Sequence, residues 1–120
     1  MSTLDITVRD AATGPVLEIS GELDFASAPR LRDLLATLEL RAGQRLVLDL
    51  AGLAFCDSSG ITALIAARNR AHAERAGIAL AAVPAPTLRI LAVIGLDQVI
   101  PVYPDSGAAT AAVLTGPDGP

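Results

Sequence analysis

The sequence predicts a single α/β domain with a mixed, mainly parallel sheet, and three observations indicate this class. The chain has 120 residues, which is enough for one domain with its own hydrophobic core. From Val16 onward, short apolar runs alternate with segments of helical periodicity. Two segments at the N-terminus read as a hairpin. Right-handed crossovers then make the later strands parallel, with helices packed on the sheet and the hairpin adding one antiparallel strand.

The N-terminal region predicts an antiparallel hairpin and then a helix. Asp5–Arg9 and Val16–Ser20 alternate polar and apolar residues, and the turn-forming run Ala11–Pro15 separates them. Gly21–Phe25 is expected to follow the second strand as a connection. Ser27–Pro29 supplies a cap and an early-turn proline for the first helix. The buried stripe of this helix is predicted to contain Leu31, Leu34, Leu35 and Leu38.

A central strand and a core helix follow. Arg45–Leu50 contains a continuous apolar run, as expected for a strand buried on both faces. Asp57–Gly60 comes next and opens the second helix, for which Gly77 is the expected stop signal. The core-facing side of this helix is predicted from one face of its helical pattern, which carries Ile61, Leu64, Ile65 and Arg68.

The next part of the chain predicts a strand, a helix and another strand. Ile78–Val83 reads as a buried strand, and Pro84–Thr87 opens a helix that Gly95 closes. Gln98–Tyr103 reads as the last strand. The apolar face of the helix is predicted to contain Leu88, Leu91 and Ala92.

The C-terminal end predicts a short helix and a tail. Asp105 or Ser106 can cap a helix over Ala108–Leu114. The domain is therefore expected to extend over residues 4–114, with residues 115–120 as a disordered tail. The pattern contains neither an internal repeat nor a linker long enough to divide the chain.

The composition excludes several functional classes. The formal net charge is −4, and only 2% of the residues are aromatic. Nucleic-acid binding depends on Lys and Arg that neutralise phosphates, so no nucleic-acid partner is expected. The single cysteine, Cys56, permits neither an internal disulfide nor a multi-cysteine metal site and reads as a small apolar side chain. No metal and no cofactor are expected.

Targeting signals are also missing from the sequence pattern. Met1–Asp5 lacks the basic and apolar regions of a secretion signal. No apolar run approaches the roughly 18 residues that a membrane-spanning helix requires. The expectation is a protein without membrane insertion, located in the cytoplasm.

The candidate functional stretch is the Asp-Ser-Ser-Gly sequence at residues 57–60. It lies where a helix begins, and the first turn of a helix has free backbone N–H groups that favour polar and anionic partners. These residue types can simply cap the helix. Two hydroxyls and a carboxylate nevertheless exceed what one cap needs, so at least one of Ser58 and Ser59 is expected to be free. Asp24 follows the preceding predicted strand and should lie at the same end of the domain.

The sequence argues against an enzyme, and no catalytic residue is expected. A serine hydrolase needs a general base, and the only histidine, His72, lies about 21 Å along the second helix from Ser58 at roughly 1.5 Å per residue. No phosphate-binding glycine loop of known spacing is present. Asp24, Asp49 and Asp57 could resemble the acid cluster of a phospho-aspartate receiver, but the chain has no lysine. Each aspartate reads better as a local hydrogen-bond acceptor.

Two motifs in this order resemble a known family. Gly21–Asp24 has the sequence GELD, and Leu48–Ile61 has the sequence LDLAGLAFCDSSGI, which opens a helix. Together with the preceding hairpin, this arrangement resembles the bacterial anti-sigma factor antagonists of the STAS domain family, over residues 4 to about 114. The long second motif is specific to that family, whereas GELD alone would be weak.

The resemblance implies a protein that acts by binding. Such proteins bind an anti-sigma factor that is itself a serine kinase, and so release a sigma factor. The kinase phosphorylates the serine after the aspartate, here Ser58, which ends binding, and a serine or threonine phosphatase restores it. The resemblance assigns the partner-binding surface to Asp24, Asp57, Ser58, Ser59 and Gly60.

Two departures from the family pattern and one alternative accompany this interpretation. Thr62 stands where many relatives have glycine, and Cys56 where a larger apolar residue is common. Both affect which kinase would fit.

The alternative is a non-phosphorylated STAS regulatory subunit of a lipid-transporting ABC transporter or a signalling scaffold. Ser59 lies at the same helix entrance, so whether it can also be phosphorylated when Ser58 is lost stays open.

Overall fold

A computed structural model describes residues 3–111 and confirms the α/β class. A five-stranded sheet has the strand order β1-β2-β3-β4-β5. The first two strands form the antiparallel hairpin, and all later neighbours are parallel. The strands are β1 Leu4–Ala11, β2 Gly14–Leu23, β3 Arg45–Cys56, β4 Gly77–Ala81 and β5 Val102–Tyr103.

Helices cover both faces of the sheet. They are α1 Ala28–Thr37, α2 Ser58–Ala73, α3 Ala85–Ile94 and α4 Ser106–Ala111, with a 3₁₀ turn at Leu96–Gln98. The main core lies between the sheet and α1 and α2, whereas Ala109 of α4 packs with Val16 and Val47 in a separate small core. Val47 alternates with Leu46 and Leu48 of the main core, which places the two cores on opposite faces. Within residues 3–111, no helix is long and apolar enough to cross a bilayer.

The buried face of α2 consists mostly of small side chains, which corrects the prediction. Ile65, expected in the core, is 38% exposed, and Arg68 is only partly buried. Alanines and a glycine lie in the core instead because their size lets the helix axis approach the sheet closely. The buried residues of α2 are Gly60, Ile61, Ala63, Leu64, Ala67 and Ala71.

β2 and β3 both extend beyond their predicted ends, and the reason is local irregularity. Glu18 pairs with Asp49, but Ser20 pairs with Gly52, and a second shift follows between Gly21 and Glu22. Each shift adds one residue to β3, as a β-bulge does. The core-facing residues after the first bulge are therefore spaced by three instead of two, and the sequence no longer alternates. Those core-facing positions are Leu46, Leu48, Leu50, Leu53 and Cys56.

The C-terminal elements are shorter than predicted. Only Val102–Tyr103 of the expected last strand pairs with β4, because a 3₁₀ turn occupies its beginning and Pro101 has no N–H to donate. β4 itself ends at Ala81. In α3, Leu91 is buried, but Leu88 and Ala92 are exposed. The predicted end of the last helix at 112–114 and the predicted disordered tail lie outside the described residues.

The C-terminal end of α2 differs from the prediction, and the C-terminal end of α1 is capped by a residue of α2. Gly77 does not stop α2. The helix ends at Ala73, and Arg75 adopts the left-handed conformation with φ of 59°. Arg70 of α2 caps α1 instead of its own helix: its Nε and Nη2 atoms donate to the carbonyl oxygens of Leu35 and Leu38 at 3.0 and 2.7 Å. These carbonyls belong to the last turn of α1, which has no basic residue of its own.

Candidate functional site

The two acidic motifs meet at one end of the sheet, as expected. Leu23 and Cys56 are partners in the β2–β3 register, and each is followed directly by an aspartate. The backbone N–H of Asp57 donates to the carbonyl oxygen of Leu23 at 3.2 Å. The turn after β2, which contains Asp24, and the start of α2 are therefore held together by the sheet itself.

Asp57 is the N-cap of α2. Its Oδ1 atom accepts hydrogen bonds from the backbone N–H groups of Ser59 at 2.8 Å and Gly60 at 3.1 Å. A capping carboxylate also interacts favourably with the positive end of the helix dipole. Because the aspartate supplies both of these capping bonds, neither serine hydroxyl is needed for the cap.

Ser58 and Ser59 differ in their surroundings. Ser58 is exposed, and among residues 3–111 its hydroxyl has no hydrogen-bond partner, although its carbonyl accepts from the Thr62 hydroxyl at 3.0 Å. Ser59 is half-buried and lines a cleft between α1 and α2. The side chain with the freest approach from solvent is therefore Ser58.

Asp24 organises a tight turn between β2 and α1. Its Oδ1 atom accepts from the backbone N–H groups of Ala26 at 3.1 Å and Ser27 at 3.0 Å. The Ser27 hydroxyl does not cap α1 as predicted. It is buried, lies 2.7 Å from the carbonyl oxygen of Glu22, and accepts from the Asp24 N–H at 2.9 Å. The role of Asp24 visible in the fold is to fix this turn.

Gly60 is needed for close packing. It is buried, and a Cβ atom at this position would lie 2.6 Å from Cys56 Sγ and 2.7 Å from the carbonyl oxygen of Leu23. No side chain fits in this space without a shift of the β2 backbone. Gly60 therefore lets the first turn of α2 sit directly against the ends of β2 and β3.

Cys56 lies beneath the helix start as a free, buried cysteine. Burial, with the neighbouring charge of Asp57 as the smaller cause, raises the pKa of its thiol to about 11. The thiol is therefore protonated at neutral pH, and a protonated thiol is a poor nucleophile and metal ligand. This agrees with the prediction of a small apolar side chain.

Exposed aromatic and basic side chains adjoin the two motifs. A cleft of about 460 Å³ beside Ser59 is lined by Phe25, Pro29, Arg32 and Thr62, together with Ala26 and Ala28. Phe25 is 82% exposed, and Arg32 makes no hydrogen bond or ion pair with any residue that the structure describes. Large exposed apolar side chains beside a free cation are typical of protein-binding surfaces.

The sequence analysis did not single out Phe25, Phe55 or Arg32. Phe55, beside Cys56, is 52% exposed. A compositional signal was available, because the chain has only two phenylalanines and they directly flank the acidic motifs, one after Asp24 and one before Cys56 and Asp57. For Arg32 no signal existed, since its position in the cleft depends on how α1 packs beside α2.

The chemistry of the site is that of recognition. The three aspartates considered as a metal cluster each make local bonds, and Asp49 Oδ1 accepts from the Ala51 N–H at 3.0 Å. No group of three or more potential metal-binding side chains occurs within residues 3–111. His72 is exposed near the far end of α2, as predicted. The site thus presents an unbonded hydroxyl, two aspartates and an apolar cleft.

Comparisons with known proteins agree with this geometry. The sequence model of one family, described as Mlab, STAS domain, matches residues 6–102. No curated protein sequence matches the chain significantly. Two similar solved structures are an anti-sigma factor antagonist from Mycobacterium paratuberculosis, with 29% identity and a TM-score of 0.80, and an anti-sigma factor antagonist (STAS) domain protein from Planctomyces limnophilus, with 25% identity and a TM-score of 0.75.

These similarities extend over nearly the whole of each chain. The Mycobacterium comparison covers 92% of this chain and 93% of the other, and the Planctomyces comparison covers 89% and 95%. A sulfate transporter family protein from Wolinella succinogenes shares the fold at 20% identity, with a TM-score of 0.72 and coverage of 83% and 84%. The same fold therefore occurs in proteins with different descriptions.

Proposed function

This chain belongs to the STAS domain family, and from that premise we propose that it is an anti-sigma factor antagonist. In this proposal it binds a cognate anti-sigma factor serine kinase, and binding frees a sigma factor for transcription. Phosphorylation of Ser58 ends binding, and a serine or threonine phosphatase restores it. The protein is a binding protein in the cytoplasm and not an enzyme.

The observation that carries the proposal is that Asp57, and not Ser58, caps the start of α2. Asp57 provides both capping bonds, so the exposed Ser58 hydroxyl has no structural bond to lose. A kinase can therefore modify Ser58 without disturbing the cap. A solved structure described as an anti-sigma factor antagonist, with 29% identity to this chain, supports the same interpretation.

The switch is local. A phosphate adds about −1.5 to −2 charges at pH 7, and the positive end of the α2 dipole tolerates it, so the fold persists. When a partner binds, the phosphate beside Asp57 loses its water. The partner's groups, which are complementary to a neutral hydroxyl, do not compensate for that loss. Binding is then lost while stability is retained.

The partner surface extends beyond the predicted set. In this proposal the surface contains Asp24, Asp57, Ser58 and Ser59, with Gly60 giving the close packing beneath the helix start. We add the exposed Phe25 and Arg32, which both line the cleft beside Ser59. Aromatic and arginine side chains contribute most of the binding energy in typical interfaces.

A second candidate is a non-phosphorylated STAS regulatory subunit of a lipid-transporting ABC transporter or a signalling scaffold. The description of the matching family model, Mlab, STAS domain, favours it. In that case the same surface binds an ATPase or scaffold protein, and Ser58 contributes a permanent neutral contact.

Phosphopeptide mapping in the native cells, with phosphatase inhibitors present, separates the two candidates. We expect phosphate on Ser58 in the wild type and its loss in a Ser58→Ala strain, with Ser59→Ala as the matched control that keeps it. Absence of phosphate under all growth conditions would contradict the antagonist proposal. A stable ATPase partner would then support the second candidate.

The affinity for the kinase that co-purifies with the wild-type protein gives an independent measurement. Ser58→Ala should bind as tightly as the wild type, whereas Ser58→Glu should bind at least about tenfold more weakly, since one desolvated charge disfavours association by a kcal/mol or more. Asn69→Glu places the same charge on an exposed position of α2 and should leave binding unchanged. All three variants should melt like the wild type, and unfolding of Ser58→Glu would remove the local-switch argument.

A further inference from the structure

The outer edge of β1 is open for strand pairing. Opposite residues in an antiparallel ladder alternate between hydrogen-bonded and non-bonded pairs. The Glu22 N–H donates to the Thr3 carbonyl at 2.8 Å, so odd-numbered residues of β1 direct their backbone groups toward β2. The N–H and C=O groups of Ile6 and Val8 therefore point outward, and no strand within residues 3–111 pairs with them.

The Leu4 carbonyl oxygen, at one end of this edge, accepts from the Arg30 guanidinium, but the rest of the edge lacks the backbone irregularities that usually block pairing. β1 has eight residues without proline, and its register with β2 has no shift. Natural edge strands are commonly short, bulged or interrupted by proline, because a long regular edge is a template for another strand. β1 is regular along its whole length.

The side chains of β1 alternate between a charged face and a face that is apolar from Leu4 to Val8 and ends at Asp10. Ile6 packs against the main core, and its neighbour on the same face, Val8, is 43% exposed. Asp5, Thr7 and Arg9 are exposed on the opposite face. Arg9 bonds there with Glu18 and Ser106 through Nε and Nη2, so its Nη1 can meet a second carboxylate.

The charge of Asp5 has no counterpart among the residues that the structure describes. Among residues 3–111, its carboxylate makes no hydrogen bond or ion pair. An acid and a base four residues apart on one strand face are self-complementary in an antiparallel pair. Each finds its counterpart on a second copy of the same strand.

We propose that a second copy of this chain pairs with β1 in antiparallel orientation about a two-fold axis at Thr7. Ile6 then lies opposite the partner's Val8 as a hydrogen-bonded pair on the apolar face. Asp5 lies opposite the partner's Arg9 as a non-bonded pair, in which side chains come closest. The two five-stranded sheets become one continuous sheet.

The register follows from the charges. Moving the axis to Ile6 places Asp5 opposite Thr7, and moving it to Val8 places Arg9 opposite Thr7. Only the axis at Thr7 forms both ion pairs and both apolar pairs while keeping the outward backbone groups bonded. The contact is one strand wide, so the dimer is weak and dependent on concentration.

The dimer leaves the Ser58 surface accessible. The two-fold axis reverses the strand direction, so the carboxyl ends of the parallel strands, with the start of α2, face opposite ends of the joined sheet. The inference is therefore independent of the proposed function, and each copy keeps its own site.

Sedimentation equilibrium of the full chain tests the pairing. We expect the average mass to rise with concentration from one chain toward two. Asp5→Arg and Arg9→Asp each place like charges opposite in both pairs and should weaken self-association roughly tenfold or more. Asp33→Arg makes the same charge change as Asp5→Arg on an exposed position of α1, outside β1, and should leave the dimer intact.

Mixing the two charge variants is the decisive experiment. Asp5→Arg and Arg9→Asp chains together form two restored ion pairs, so an equimolar mixture should dimerise as tightly as the wild type. A misfolded variant could not be rescued in this way. A wild-type chain that stays monomeric at millimolar concentration, a dimer unaffected by Asp5→Arg, or a mixture without rescue would each overturn the proposal.

Discussion

Gly60 is the residue on which the position of α2 depends most directly. Gly60→Ala should lower the free energy of unfolding by about 1 to 3 kcal/mol, because the new methyl group overlaps Cys56 Sγ and the Leu23 carbonyl oxygen. Urea denaturation measures this loss. Gly77→Ala is the control, since its Cβ would meet no atom closer than 3.9 Å.

Removing the overlap with Cys56 Sγ provides a second test of the close packing at Gly60. Combining Gly60→Ala with Cys56→Ala removes the sulfur but leaves the carbonyl oxygen, so part of the lost stability should return. Full additivity of the two substitutions would show that Gly60 and Cys56 do not share the contact.

Cys56 makes stability fall at alkaline pH. Its pKa rises from 9.0 to about 11 on folding, because burial, and to a smaller extent the charge of Asp57, disfavour the thiolate. The folded state therefore holds the proton more tightly than the unfolded state. This stability is complete below pH 9 and is lost as pH rises toward 11, with a slope of at most about 1.4 kcal/mol per pH unit.

The pH dependence is checked by comparison with Cys56→Ala. Urea denaturation across the alkaline range should give a steeper loss for the wild type than for the variant. Other groups that titrate in this range are common to both proteins and cancel in the difference. Parallel pH profiles would contradict the buried-thiol argument.

At the level of single residues, the sequence predicts the polar part of the site and misses its apolar part. Capping preferences and strand order, which are local rules, place Asp57 and the two serines at the start of α2, whereas the choice of Ser58 over Ser59 rests on the resemblance. Phe25 and Arg32 become neighbours only when α1 packs beside α2. Periodicity carries no information about that packing.

Among the secondary-structure elements, α1 and α2 are joined by Arg70. Arg70→Met should lower the free energy of unfolding by about 1.5 to 3 kcal/mol, because two carbonyl groups of α1 lose a charged donor. Chemical denaturation should show a lower midpoint with an unchanged slope. Arg89→Met, an exposed arginine of α3, should change little.

The ion pair of Arg70 with Glu74 is a separate and smaller contribution. The Nη1 and Oε2 atoms lie 2.8 Å apart, and the Glu74 side chain is largely in solvent. Exposed pairs of this type contribute less than about 1 kcal/mol. Glu74→Gln should therefore be much milder than Arg70→Met, and an equal effect would assign the stability to the ion pair.

The elements that the sequence mispredicts share a physical cause. The expected end of β3 at Leu50 relied on the end of the apolar run, whereas after Leu50 the two bulges space the core-facing residues by three. The expected core position of Ile65 relied on the helical pattern, whereas α2 packs against the sheet largely through alanine. Both errors arise where close packing overrides the local pattern.

For the molecule as a whole, stability should be distributed unevenly. α3 buries only Thr87 and Leu91, and β5 has two residues. β3, by contrast, lies between two parallel neighbours and supplies much of the core. Amides of residues 85–103 should therefore exchange with deuterium at least about tenfold faster than the central amides of β3. Equal protection would indicate a single cooperative unit.

The overall fold was the most predictable level. The alternation of strands and helices and the preference for right-handed crossovers lead to the parallel sheet without knowledge of any contact. The hairpin follows equally from its turn residues, and the first helix from its early-turn proline and leucine stripe. The pairing of Leu23 with Cys56, which brings the two motifs together, needed the bulged register and could not be predicted.

The two bulges of β3 also determine where the length of the chain can change. Each contributes one residue with no counterpart in β2, beside Ala51 and beside Ala54. Loss of such a residue would straighten the strand, yet Leu53 and Cys56 would still face the core and Asp57 would still begin the helix. Loss of a residue elsewhere in β3 would have to be absorbed at one of these points. Natural deletions in this strand are therefore expected to collect at the bulges.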